Sequence, residues 1–397
     1  MTRYVIIGAG EAGARAALDL KDKGQVTLIG AEPHLPYERP PMSKPEGEDV
    51  VLKPICAASA MDHVTYLQGV SATAIDRQDN VVRLSDGTDV AYDKLLLATG
   101  STPRALPCEG GKHALPMRTF EDAKTIFDRA ASANRVVVIG AGLIGLELAA
   151  VLRTKGVEVT VLEAGPRALG RALSPALADH IVARHQAEGV DLRFDVRISH
   201  LTENAVHLTD GVAIEAGVIV AAIGVIPNTQ LAEDAGLTCA NGIVVGPDLQ
   251  TKDPSIFAAG DCASLDHPEF GQTRFEAWRV AVEMGAAAAK AMAGEDVTFA
   301  PTPWFWSDQY DLGLQMAGFH NPQNRCVTRQ AGDAYLEFEL DAKGRLVAAA
   351  GIATGNTIAK DIKLAERMIN ARQCPDPDRL ADPADPLKKL MRDAVAL

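Results

Sequence analysis

The stretch that most constrains this chain is Arg135-Val136-Val137-Val138-Ile139 followed by Gly140-Ala141-Gly142-Leu143-Ile144-Gly145. A short β-branched run ends in G-x-G-x-x-G and passes into Leu146-Glu147-Leu148-Ala149-Ala150-Val151-Leu152. That pattern predicts strand, tight turn and helix. The first glycine permits the turn, the second lets backbone approach a pyrophosphate, and the third lets helix pack on strand. The free N–H groups and positive dipole end of the helix favour an anion there. Alone the motif is common. Here it is the second of two, because Tyr4-Val5-Ile6-Ile7-Gly8-Ala9-Gly10-Glu11-Ala12-Gly13 opens the chain in the same way. Two such units predict two dinucleotides and electron transfer between them.

The 397 residues suffice for two to three domains, each with its own core. The formal charge of -13 and the lack of a basic stripe argue against a nucleic-acid partner. No apolar run is long enough to span a membrane, so no membrane partner is expected. Met1-Thr2-Arg3-Tyr4 leads straight into a strand, so a removable leader is not expected and the cytoplasm is the expected location. The cysteines Cys56, Cys108, Cys239, Cys262, Cys326 and Cys374 contain no C-x-x-C. Reduced thiols are therefore expected, with no zinc, iron–sulfur or other metal site.

Read in order, the first unit runs through a helix to a C-cap at Gly24. The strand Gln25–Gly30 then delivers Glu32, near the ~20-residue distance at which an acid meets a ribose diol. Four prolines between Pro33 and Pro41 stiffen the path that carries Arg39 and Lys44. Residues 64 to 100 read as β-rich, with a hairpin about Asp86-Gly87 and a returning strand ending at Thr99-Gly100. Small residues there let the chain pass close to a cofactor. In the second unit the strand Val157–Leu162 ends at Glu163. A carboxylate accepts from a free ribose 2′-hydroxyl and repels a 2′-phosphate, which predicts NAD rather than NADP. Arg167 stands nearby and would pull the other way. The returning strand recurs and ends at Gly224. Ile256–Ala259 leads to Gly260-Asp261, read either as a polyol-binding acid or as a helix cap. A loop and a helix from Glu276 to Ala293 follow. From Trp304 the pattern changes to strands, a helix from Thr357 to Asn370 and a polar tail. The expected domains are 1–110 with 232–303, then 111–231, then 304–397.

Pro36-Tyr37-Glu38-Arg39-Pro40-Pro41-Met42-Ser43-Lys44, Gly140–Glu147, Gly260-Asp261 and Pro303-Trp304-Phe305-Trp306-Ser307-Asp308-Gln309 together resemble the FAD-dependent NADH:ferredoxin reductases of bacterial oxygenase systems. The resemblance covers nearly the whole chain. It implies an α/β fold of two Rossmann-like dinucleotide-binding domains, glutathione-reductase-like, with a C-terminal α+β domain. It implies FAD on the first and returning segments and NAD(H) on the repeat. Gly8, Gly10 and Gly13 would cradle the FAD pyrophosphate, Glu32 its ribose and Asp261 its ribityl chain. Arg39 and Lys44 match cofactor-contacting cations, Lys44 towards the flavin ring. Gly140, Gly142, Ile144, Gly145, Glu147 and Glu163 would bind NAD, with Glu147 near the nicotinamide. Trp304 or Trp306 would lie near the flavin and a docking surface. One departure is Val280, where similar proteins often carry Asn.

These residues lead to one mechanism. On the resemblance, NADH would pass a hydride to the flavin, and Lys44 would stabilise the reduced form. The plain alternative for Lys44 is an ion pair, with Glu11 as candidate partner. Pro40-Pro41-Met42-Ser43 fills the stretch where related enzymes carry an active cysteine, and Cys56 lacks a partner. The remaining exit is one electron at a time to a [2Fe-2S] ferredoxin. It would dock on a basic patch drawn from Arg274, Arg279, Lys360 and Lys363 together with the tryptophans. The enzyme is expected as a monomer or weak homodimer. The alternative is a redox-sensing flavoprotein resembling apoptosis-inducing factor.

Overall fold

The computed structural model describes residues 1–45, 47 and 49–396. The chain divides into two compact units. One comprises 1–40, 51–102 and 225–301, and the other comprises 41–50, 103–224 and 302–397. The C-terminal segment thus shares a unit with the second glycine motif, and the short piece 41–50 joins it.

The first unit is built on a five-stranded parallel sheet in the order Ile256–Ala258, Lys94–Leu97, Arg3–Ile7, Gln25–Gly30, Val64–Gln68. The helix Glu11–Leu20 and the helix Trp278–Met292 pack together on it. Their contact is close because Gly285 has no side chain. A Cβ there would lie 2.3 Å from the Ala12 carbonyl oxygen. A three-stranded antiparallel meander, Ala72–Asp76, Val81–Leu84 and Asp89–Ala91, precedes the returning strand.

The second unit repeats the scheme. Its parallel sheet runs Asp191–Arg193, Glu158–Leu162, Arg135–Ile139, Val218–Ala221, Leu115–Pro116. The meander Ile198–Thr202, Ala205–Leu208, Ala213–Glu215 again precedes the returning strand. The helix Phe120–Ala130 starts on a capping box, Thr119 with Asp122. The same unit holds a five-stranded antiparallel sheet in the order Trp304–Gln309, Leu312–Gly318, Leu346–Thr354, Ala334–Leu340, Arg325–Ala331. Helix Ala359–Asn370 covers one face of it with Ile362, Ala365 and Met368.

Several local expectations need correction. Lys21, in αR conformation, caps the first helix, not Gly24. Gly24 is required for another reason: a Cβ would meet the Thr2 carbonyl oxygen at 2.4 Å and the Tyr4 ring at 2.7 Å. Between Gly260-Asp261 and the long helix lies a hairpin, Ala263–His267 with Gly271–Arg274, where a plain loop was expected. The helix begins at Trp278. The polar tail folds into two short helices, Pro377–Ala381 and Leu387–Asp393, because Leu380, Leu387 and Leu390 are buried in the C-terminal core. No helix among the described residues is long and apolar enough to cross a membrane.

Buried His267 donates from Nε2 to the Pro301 carbonyl and accepts at Nδ1 from the Glu269 amide, both at 3.2 Å. Those roles require neutral imidazole, and burial holds its pKa below the ordinary 6.5. The unfolded chain therefore takes up the proton first, so this contribution is complete above about pH 6.5 and fades as pH falls. Glu11 acts in the opposite sense, because burial pushes its carboxyl up to about 7. The discriminating measurement is the gap in melting temperature between wild type and His267→Gln. It should be widest near pH ~8 and close towards pH ~5; a gap independent of pH contradicts the assignment.

Candidate functional site

The two glycine motifs fold alike. Gly8 and Gly140 have φ of +110° and +108°. A Cβ on Gly8 would sit 2.1 Å from the Ala98 carbonyl oxygen, and one on Gly140 would sit 2.4 Å from that of Ala222. Each first glycine therefore lets its turn pass the end of the returning strand. A Cβ on Gly13 would meet the Gly8 carbonyl oxygen at 1.9 Å, and one on Gly145 would meet that of Gly140 at 2.1 Å. These third glycines seat the helix on the strand. Around Gly10 and Gly142 nothing lies within 4 Å of the added atom, and neither has a positive φ. The fold itself does not need glycine there, but a diphosphate approaching the backbone does. The residues present therefore fit two dinucleotides.

The acids after the second strands differ in partners. Glu32 receives the Tyr37 hydroxyl and the Arg39 guanidinium, each at 2.5 Å. Glu163 accepts from the Ala141 amide at 2.9 Å and the Gly165 amide at 2.7 Å. That holds its carboxylate against the glycine turn. Arg167 is spent on the carbonyls of Gly170 and Leu173, both at 2.9 Å, and on that of Ala168. A 2′-phosphate would thus meet an anion and find this guanidinium already engaged. Ile144, the second residue of its helix, is a large apolar side chain left 42% exposed.

In the first unit Asn228 clamps the end of the returning strand. Its side chain donates to the Thr99 carbonyl at 2.8 Å, and the Thr99 hydroxyl donates to the Asn228 carbonyl at 2.7 Å. Gly100 follows with φ +67°. Asp261 follows Gly260 (φ +79°) in a short 3-10 turn and accepts from Ser101 at 2.8 Å. In the second unit the Gly224 carbonyl accepts from the Arg104 amide.

Lys44 and Glu147 come together in the second unit. Lys44 Nζ lies 3.3 Å from Glu147 and 3.1 Å from Asp308, so these, and not Glu11, are its ion partners. It also sits over the Trp306 ring at 5.0 Å. Trp304 and Trp306 stack at 5.4 Å on one face of their strand. Glu147, 6% exposed, also accepts from Ser43 at 2.6 Å and Ser307 at 2.7 Å. Tyr37, Ser43 and Ser307 were not singled out from sequence. For Ser307 the signal lay in the alternation along Trp304–Gln309, which puts Ser307 and Gln309 on the buried side.

One docking expectation fails. The Arg274 side chain is 7% exposed, pairs with Glu276 at 2.5 Å and donates to the Asp261 carbonyl at 3.3 Å. It braces the Gly-Asp turn and is not a surface docking cation. Arg279 pairs with Glu283 at 2.8 Å on the helix surface, its side chain 37% exposed. Lys360 and Lys363 are exposed on the helix Ala359–Asn370. Val280 is buried in the apolar core of the first unit and offers no polar contact. All six thiols are free, and burial raises those of Cys56, Cys108, Cys239, Cys262 and Cys326.

The fold and these cradles define a reductase built on two dinucleotide sites. Residues 2–285 match the pyridine nucleotide-disulphide oxidoreductase family and residues 304–391 the reductase C-terminal family. The ferredoxin–NAD(+) reductase component of the anthranilate 1,2-dioxygenase system of Burkholderia cepacia is 38% identical over 98% of this chain and 99% of its own. Two solved structures are similar. The ferredoxin reductase for the CYP199A2 system of Rhodopseudomonas palustris has a TM-score of 0.92 and 32% identity, over 98% of this chain and 99% of its own. The covalent putidaredoxin reductase–putidaredoxin complex has a TM-score of 0.91 and 33% identity, over 99% of each chain. The chain belongs to the pyridine nucleotide-disulphide oxidoreductase family, in its ferredoxin-reductase branch, and takes FAD and NAD(H).

The three glycines of one motif should separate experimentally. Gly145→Ala should destabilise the fold by roughly 1–3 kcal/mol in denaturant titration. Gly142→Val should leave the unfolding midpoint near wild type while abolishing measurable NAD+ binding. Equal loss of stability in both variants would contradict the division of roles.

Proposed function

We propose that this chain is the NADH-oxidising flavoprotein of a bacterial oxygenase system, a cytoplasmic ferredoxin–NAD(+) reductase serving a ring-hydroxylating dioxygenase or a cytochrome P450. One observation carries the reading. Two nucleotide cradles of the same geometry share a chain whose sequence carries no C-x-x-C dithiol to take the electrons. FAD, when bound, supplies the chemistry that accepts a hydride and releases electrons singly. On this reading the segments of 1–110 and 232–303 hold FAD. Gly8, Gly10 and Gly13 take its diphosphate, Glu32 and Arg39 its ribose region, and Thr99, Gly100, Gly260 and Asp261 the rest of the chain. Segment 111–231 holds NADH through Gly140, Gly142, Ile144, Gly145, Glu163 and Gly224. Glu147 orients the nicotinamide end. Lys44, held by Glu147 and Asp308, contributes a fixed positive charge near the reacting end.

A [2Fe-2S] ferredoxin docks on the C-terminal segment, 304–397, beside Trp304 and Trp306. Arg279, Lys360 and Lys363 supply the local positive charge that an acidic carrier needs, Arg274 being buried against Glu276. The protein works as a monomer or weak homodimer.

The test is cytochrome c reduction with a panel of [2Fe-2S] ferredoxins. Turnover should be fast only when a ferredoxin is present, and much faster with NADH than with NADPH. Fast turnover of a disulfide or of hydrogen peroxide without ferredoxin overturns the reading. So does a long-lived reduced complex that no carrier reoxidises, the behaviour of a redox sensor. Glu163→Ala should raise KM for NADH about tenfold, the worth of a charged hydrogen bond, with flavin content intact. Lost flavin would mean that the two nucleotide assignments are reversed.

A further inference from the structure

A line of hydrogen bonds runs inward from Tyr310 to Glu147, all within the second unit. The Tyr310 hydroxyl lies 3.1 Å from His185 Nδ1. His185 Nε2 lies 2.8 Å from Gln309 Oε1. Gln309 Nε2 lies 3.0 Å from the Ser307 hydroxyl, which lies 2.7 Å from Glu147 Oε1. His185 and Ser307 are fully buried, and Gln309 is 2% exposed. The residues come from three elements: helix Leu143–Thr154, helix Pro175–Ala187 and strand Trp304–Gln309 with its following turn.

With His185 neutral, the form its burial favours, such a line has only two self-consistent polarities. In one, Tyr310 donates to His185, His185 to Gln309, Gln309 to Ser307 and Ser307 to Glu147, so the carboxylate accepts. In the other every bond reverses, the Gln309 amide turns over, and Glu147 must itself carry a proton to give to Ser307. A mixture leaves two acceptors or two donors facing each other in a buried place, which is costly. Lys44 on Oε1 and Ser43 on Oε2 both donate to Glu147 and select the first polarity.

We propose that His185 and Gln309 are positioning residues for NADH. They do not touch the cofactor. They fix the Ser307 proton on Glu147 Oε1, and so hold Glu147 as an oriented acceptor for a donor such as the nicotinamide carboxamide N–H. This rests on the assignment of Glu147 to the nicotinamide end, and the experiment keeps the two apart. Neither His185 nor Gln309 is marked by the glycine motifs, and they act on Glu147 through the single hydroxyl of Ser307.

The test uses FAD-loaded protein and reads NAD+ dissociation by calorimetry, alongside KM and the limiting rate of flavin reduction by NADH. Gln309→Glu keeps the shape and the acceptor for His185 but removes the donor to Ser307. It should weaken NAD+ about fivefold, the equivalent of one net hydrogen bond, and raise KM alike with little change in limiting rate. His185→Leu should do the same. His185→Gln, which keeps a donor and an acceptor, should restore wild-type affinity. Glu147→Gln should weaken NAD+ at least as much. If Glu147→Gln weakens NAD+ while Gln309→Glu and His185→Leu do not, the relay is wrong and the nicotinamide assignment stands. If Glu147→Gln leaves NAD+ affinity unchanged, the nicotinamide assignment falls and the relay with it. A fall in melting temperature without a change in NAD+ affinity reduces both residues to structural support. Should Gln309→Glu fail to fold, the contrast between His185→Leu and His185→Gln decides alone.

Discussion

A carboxylate buried beside the opening turn of a helix is costly unless donors surround it. Glu147 is that carboxylate, and satisfying it organises the second unit. Its own helix supplies none of the three side-chain donors. They come from Ser43 and Lys44, more than a hundred residues earlier, and from Ser307, more than a hundred and fifty later. This explains why the short piece 41–50 belongs with the second unit while the chain on either side belongs to the first. Segments so far apart in sequence fold together because one buried charge has no local solution.

The two nucleotide cradles share their sterics and differ in their polar supports. Gly8 and Gly140, Gly13 and Gly145 are held to glycine by the same carbonyl oxygens of the same topological positions. A duplicated strand–turn–helix has no other way to close. The acids have diverged. Glu32 is gripped by a guanidinium and a phenol, whereas Glu163 rests on two backbone amides of its own turn. Around the first cradle Asn228, Ser101 and Arg274 each tie down a loop end. The first cradle is thus supported by side chains and the second by backbone.

Both sheets, both glycine turns and both acids were legible in the sequence because each is a local pattern with a steric cause. The β-branched runs and the turn glycines are readable within a few residues. What escaped was non-local. Gly24 looked like a helix cap, but its reason is the Thr2 carbonyl and the Tyr4 ring on a neighbouring strand. Arg274 looked like a surface cation, but its guanidinium is consumed by Glu276 and the Asp261 carbonyl. Lys44 looked like a partner for Glu11, because the nearest acid in a glycine motif was the wrong one of two. The leucines of the polar tail are too sparse for periodicity to show, and only the C-terminal core reveals why they fold.

Strand Trp304–Gln309 joins these themes. With side chains alternating, one face turns Ser307 and Gln309 inward to Glu147, and the other presents Trp304, Trp306 and Asp308. Lys44 reaches both, bonding Glu147 while lying over Trp306 and against Asp308. Glu147 is therefore not free to change its hydrogen bonds without altering what holds Lys44, and Lys44 cannot move without uncovering Trp306. The pleat of this six-residue strand turns successive side chains to opposite faces, one towards Glu147 and the other towards Lys44 and the tryptophans.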